Sequence, residues 1–190
     1  MHYCLNYSGY NIVIFPKCGC TQLIKLCTDT PEYSHLNHDY NHNECSVYGT
    51  IHNCGRALRK EDSSLEYLLF YRFPHERIHS FYYSNSRYHP IFKNMSLNSF
   101  IGSITKNRSK DPVYEGHLTP ISSFTPRNKC KYIHLNNLNK AWHDYFGIDI
   151  SKFTIINKTE KPEVLTLDQI NLIKELYHDE YLFLENVCEV

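Results

Sequence analysis

The sequence predicts a single α/β domain in which a parallel β-sheet is flanked by helices. Two short runs, Ile12-Val13-Ile14-Phe15 and Tyr67-Leu68-Leu69-Phe70-Tyr71, are apolar without alternation, as expected of strands covered on both faces. A helix-type pattern follows each run, giving the strand, loop and helix units that connect parallel strands. A chain of 190 residues supports one sizeable core and leaves little room for a second.

Composition narrows the function classes. With 20 basic and 20 acidic residues the net charge is zero, so no global field draws nucleic acid or an anionic membrane, and no nucleic-acid partner is expected. Residues 1–10 are polar and aromatic, and no apolar run approaches the roughly 18 residues of a membrane span. A cytoplasmic or otherwise soluble protein, without signal peptide or membrane anchor in this chain, is the expectation. Eight cysteines are too sparse for a disulfide scaffold, and reduced thiols are expected.

The first unit carries the strongest chemical signal. Pro16 stops the strand, and from Cys20 or Thr21 onward Leu23, Ile24, Leu26 and Cys27 recur at helical spacing. The backbone N–H groups around residues 19–22 then point out of a helix N-terminus, which favours anions. Gly19 allows close approach of a phosphate, Lys17 supplies a charge and the Thr21 hydroxyl a further donor. Gly-x4-Gly-Lys-Ser/Thr is absent, and here the lysine precedes the glycine, which weakens a Mg-nucleotide reading.

Residues 29–53 read as a long irregular segment rich in histidine. His35, His38, His42 and Cys45 are zinc-ligand types, but their spacing matches no common zinc pattern, and solvated loop histidines are the alternative. Residues 47–51 read as a short strand ending at His52, and residues 54–60 as one or two helical turns. The second apolar run leads into Arg72. Pro74 suits the first turn of a helix that places Ile78, Phe81 and Tyr82 on one side and Arg77, Ser80 and Ser84 on another. Arg77 reads as the partner of a carboxylate, and the helix ends across residues 88–90. Residues 96–104 predict a helix with Leu97, Phe100, Ile101 and Ile104 inward. Residues 131–134 predict a strand, and residues 138–146 a helix carrying Trp142 and ended by Gly147. Residues 157–162 form a polar turn. Residues 167–184 predict one helix, opened by a capping box of Thr166 and Gln169.

Two of these stretches resemble a known family. Pro16-Lys17-Cys18-Gly19-Cys20-Thr21 resembles the 5′-phosphosulfate loop of sulfotransferases that use 3′-phosphoadenosine 5′-phosphosulfate (PAPS), and Gly-Cys-Thr is closest to the carbohydrate sulfotransferase branch. The segment from Tyr71 to Tyr82 resembles the family's 3′-phosphate motif, Arg-Asp-Pro-x-Glu-Arg-x-x-Ser-x-Tyr, with Phe73 in place of Asp. Residues 111–120 resemble a carbohydrate sulfotransferase segment with His-Trp-x-Pro-Gln, but Leu118 replaces Trp and Ile121 replaces Gln. Residues 175–181, Glu-Leu-Tyr-His-Asp-Glu-Tyr, resemble the helix of the Glu-Leu-Tyr-x-x-Asp-Tyr kind with which the family ends.

The resemblance implies a P-loop-NTPase-like sulfotransferase fold, PAPS as sulfuryl donor and 3′,5′-adenosine bisphosphate as product, with no metal required. It implies cofactor contacts from Lys17, Cys18, Gly19, Cys20, Thr21, Gln22, Arg72 and Ser80, and an acceptor hydroxyl on a carbohydrate. Lys17 also takes a catalytic role, offsetting charge on the departing phosphate. The family's base lies on a loop before the strand that leads into the 3′-phosphate motif. His52, twenty residues before Arg72, fits that place, with His117 and Glu44 in reserve. Lys106, Arg108, Lys110, Arg127, Lys129 and Lys131 are candidates to line a groove for an anionic glycan. A P-loop-type nucleotide kinase and a non-enzymatic His/Cys zinc-binding module are the alternatives.

Overall fold

The computed structural model describes residues 3–28, 62–86, 90–107, 117–151 and 163–187. Their order is β1 (Tyr3–Tyr7), β2 (Tyr10–Ile14), α1 (Cys20–Thr28), β3 (Glu66–Tyr71), α2 (Pro74–Ser86), α3 (Pro90–Lys93), α4 (Leu97–Asn107), β4 (Cys130–His134), α5 (Leu138–Phe146), α6 (Leu167–Leu176) and α7 (His178–Val187). Single 3₁₀ turns lie at Ile121–Ser123 and Leu135–Asn137. Among the described residues no helix is long and apolar enough to cross a membrane.

The four strands form one sheet in the order β1-β2-β3-β4. β2, β3 and β4 are parallel, with Ile14 opposite Phe70 and Tyr71 opposite His134, so all three end on the same edge. β1 is antiparallel to β2. Ser8 and Gly9 join them with φ of 49° and 83°, the doubly left-handed pair that a two-residue hairpin turn needs. The sequence reading assigned no element to residues 1–10, although Ser8-Gly9 between residues able to pair is a hairpin signal.

The absence of alternation in the two apolar runs has the expected cause. Ile12, Ile14, Leu68 and Phe70 pack on one face against Leu23 and Leu26 of α1 and Trp142 of α5. Val13, Phe15, Tyr67, Leu69 and Tyr71 pack on the other face, against Ile121, Phe124 and Leu184 of α7. A third cluster joins Ile78 and Phe81 of α2 to Phe92, to Leu97, Phe100, Ile101 and Ile104 of α4, and to Ile173 of α6. Gly147 ends α5 at φ 70° with its N–H on the His143 carbonyl, a left-handed helix end.

The expected helix over residues 167–184 is two helices. Thr166 and Gln169 form the complete capping box of α6. The chain then departs from helical geometry at Tyr177, which has φ −124° and ψ 29°, and restarts as α7. The break seats the Tyr177 ring in the third cluster with its hydroxyl donating to the Leu118 carbonyl at 3.1 Å. It also turns Glu180 onto buried Arg77. Helical periodicity alone does not register such a tertiary override.

Candidate functional site

The loop from Phe15 to Cys20 turns sharply. The Cys18 N–H donates to the Phe15 carbonyl at 3.1 Å. Lys17 and Gly19 are left-handed, with φ of 64° and 74°. The conformation is uncommon for lysine and comes at a steric cost of about 1–2 kcal/mol. Left-handed residues interspersed in a loop turn successive N–H groups toward a common point, an anion-binding arrangement. α1 opens at once at Cys20, with Thr21 and Gln22 in its first turn, so the positive end of a helix dipole follows directly.

Gly19 has a second reason to be glycine. A Cβ there would lie 2.8 Å from Leu135 Cδ1, so the residue after β4 presses on the loop. Cys18 is turned inward, fully buried beside Val13, Phe15 and Leu69. Burial pushes its thiol up to about 12, although the Arg77 and Arg72 guanidinium charges pull it down. With its N–H already bonded, Cys18 offers a ligand neither group. Cys20 is half-buried.

Lys17 and Arg72 meet at this edge. The Arg72 Nη1 donates to the Lys17 carbonyl at 2.9 Å. The Lys17 ammonium donates to Ser84 Oγ at 2.5 Å and lies 5.9 Å from the centre of the Phe81 ring. Burial holds Lys17 below the ordinary lysine range, with Arg72 adding to the effect and Cys20 opposing it. Among the described residues no carboxylate forms an ion pair with either cation. Two neighbouring cations with no carboxylate partner among the described residues are set to receive an anion.

Ser80 is buried on α2, 6% exposed. It lies between Glu76 and Ser84 at spacings of four, so the three form one stripe along the helix. Arg77 bonds both oxygens of Glu180 at 2.9 and 2.7 Å and the Thr119 carbonyl at 2.9 Å. Glu180 also accepts the Ile121 N–H at 3.0 Å. This is the carboxylate pairing the sequence suggested for Arg77, and it ties α2, α7 and the 3₁₀ turn together.

A pair that sequence reading missed stands at the same sheet edge. The His134 and Glu76 side chains meet through Nε2 and Oε2 at 2.8 Å. The same Glu76 oxygen accepts the Phe73 N–H at 2.9 Å, half of a capping box for α2. Burial alone would raise the Glu76 carboxyl, but the His134 hydrogen bond and charge, with the Phe73 N–H, hold it below the usual range. Its signal was the end of β4: in open parallel sheets ligands gather outside the carboxyl ends of strands.

His52, Glu44, the His35/His38/His42/Cys45 group, Arg108, Lys110 and the turn at 157–162 lie outside the described residues. Among the described residues no group of three or more His, Cys, Asp or Glu side chains is arranged to hold a metal ion. His117 packs its ring 5.2 Å from that of Phe81. Arg127 and Lys129 precede β4, at the sheet edge opposite the loop. Lys129 instead lies 4.0 Å from half-buried Glu66, and Lys131 extends over the Tyr145 ring. No protein-family model, curated protein or solved structure matches the chain.

Proposed function

We propose that this protein is a PAPS-dependent sulfotransferase of the P-loop-like fold, acting on an acceptor hydroxyl of the carbohydrate class. The observation that carries the reading is the convergence of Lys17 and Arg72, without a carboxylate partner among the described residues, at the ends of adjacent parallel strands. Each cation belongs to one of the two motifs that resemble the family's phosphate-binding segments.

Sulfuryl transfer, like phosphoryl transfer, asks the protein mainly to position and neutralise. The 5′-phosphosulfate lies over the N–H groups that open α1, with Lys17 offsetting the charge that builds on the departing phosphate. Arg72 takes the 3′-phosphate, with Ser80 on the neighbouring turn of α2. The family resemblance offers His52 for the base, a position outside the described residues.

Thermal shifts with 3′,5′-adenosine bisphosphate, 5′-ADP, Mg-ATP and a chelator test the reading, together with transfer of label from [³⁵S]PAPS to a glycan panel. Stabilisation by the bisphosphate above the others is expected. Preference for Mg-ATP would favour a kinase, and destabilisation by the chelator alone a zinc module.

A further inference from the structure

We propose that the His134–Glu76 pair is the proton-accepting dyad of this site, His134 taking the acceptor's proton at Nδ1 and Glu76 positioning the ring. The inference rests on the sulfotransferase reading and gives it a base within the described residues.

Three observations converge on the pair. First, its hydrogen bonds fix the tautomer. The Asn136 N–H donates to His134 Nδ1 at 3.3 Å, so Nδ1 carries the lone pair. Nε2 then carries the proton and donates it to Glu76 Oε2 at 2.8 Å. A histidine whose far nitrogen is held by a carboxylate, with its near nitrogen engaged only by a long contact, has the arrangement of a general base. Second, the pair is reachable, with side chains 16% and 28% exposed. Third, it adjoins the anion loop. His134 ends β4 opposite Tyr71, the residue before Arg72, and the next residue, Leu135, closes on Gly19. Glu76 shares its stripe of α2 with Ser84, the partner of Lys17.

The ionisable groups around the pair are His75 beside Glu76 on α2, Tyr71 of β3 against the His134 ring, and Tyr181 of α7. The Tyr181 hydroxyl contacts His75 Nδ1 at 2.6 Å, and burial pushes it up to about 12. Tyr181 therefore stays neutral through the working range of an imidazole.

In the transfer step an oxygen lone pair of the acceptor forms the new bond to sulfur. The bond from sulfur to the bridging oxygen breaks, and its electron pair leaves on the 5′-phosphate of 3′,5′-adenosine bisphosphate. The acceptor proton passes to His134 Nδ1, and Glu76 stabilises the imidazolium until the proton returns to solvent.

The test separates base chemistry from capping. His134→Asn keeps an acceptor for the Asn136 N–H and removes the imidazole. Its turnover with [³⁵S]PAPS is expected to fall about 10²- to 10⁴-fold, with 3′,5′-adenosine bisphosphate affinity unchanged, and His134→Ala is expected to regain rate with added imidazole. Glu76→Gln, which retains an oxygen for the Phe73 N–H, is expected to shift the acid limb of the rate profile to lower pH, because the imidazolium loses its counter-charge. Normal nucleotide binding with unaltered turnover in His134→Asn overturns the proposal alone, as does loss of rate in His52→Ala but not in His134→Asn. Failure of the unaltered protein to bind the bisphosphate overturns the sulfotransferase reading and the proposal with it. Independently of any donor, ¹⁵N spectra of the imidazole are expected to show Nε2 protonated, and an Nδ1-protonated ring overturns the dyad.

Discussion

Lys17 concentrates the physics of the site in one residue. It is left-handed, half-buried, beside a second cation and bonded to a serine hydroxyl. Burial disfavours its ammonium, so its pKa lies below the ordinary lysine value in the folded protein. A bound anion reverses that preference. Bisphosphate affinity is therefore expected to fall as pH rises through the lowered Lys17 pKa, and binding in that window takes up protons. Calorimetry in buffers of different ionisation enthalpy reads both effects, and Lys17→Met removes them. The two loop cysteines separate by environment. Cys18 is fully buried with its thiol pushed up to about 12, while Cys20 is half-buried at the opening of α1. Iodoacetamide at neutral pH is expected to label Cys20 and spare Cys18, with the bisphosphate protecting Cys20, as peptide mass spectrometry would show.

At the scale of elements, the contact between the loop and the turn after β4 decides the shape of the anion site. Gly19→Ala meets both a left-handed backbone and a Cβ 2.8 Å from Leu135 Cδ1. A loss of about 1–2 kcal/mol for the conformation alone is expected, with more for the clash. Adding Leu135→Ala relieves the clash but not the conformation, so urea unfolding of the double variant is expected to recover only part of the loss. Legibility follows the same division. The buried strands β2 and β3, the starts of α1 and α2 and both ends of α5 were readable because local pattern and local chemistry agree there. Ile12 to Phe15, Pro74 and Gly147 each carry their own reason. The break at Tyr177 was not readable, because its cause is the distant Leu118 carbonyl and the Arg77 guanidinium. For the same reason Lys17 and Arg72 were legible as anion-binding residue types within motifs, whereas the His134–Glu76 contact spans 58 positions and has no local signature.

At the scale of the molecule, α2 is the hub: it follows β3, packs on α4 and α6, and reaches α7 through a buried ion pair. Arg77→Met leaves the Glu180 carboxylate buried without its cation, and a loss of about 3–5 kcal/mol is expected in denaturant unfolding. The pair itself is not ideally satisfied, since Arg77 Nε is buried without a hydrogen-bond partner, which costs about 1–3 kcal/mol. Replacing both partners, Arg77→Met with Glu180→Leu, is therefore expected to restore much of the stability. The central claim is that the cations of two sequence motifs grip one adenosine bisphosphate at the edge of the parallel sheet. Calorimetric titration of 3′,5′-adenosine bisphosphate into the unaltered protein and Arg72→Ala tests it most directly. Stoichiometric binding that weakens by about 1.5–3 kcal/mol in the variant is expected, while absence of binding, or equal affinity in both proteins, would overturn the two-cation grip.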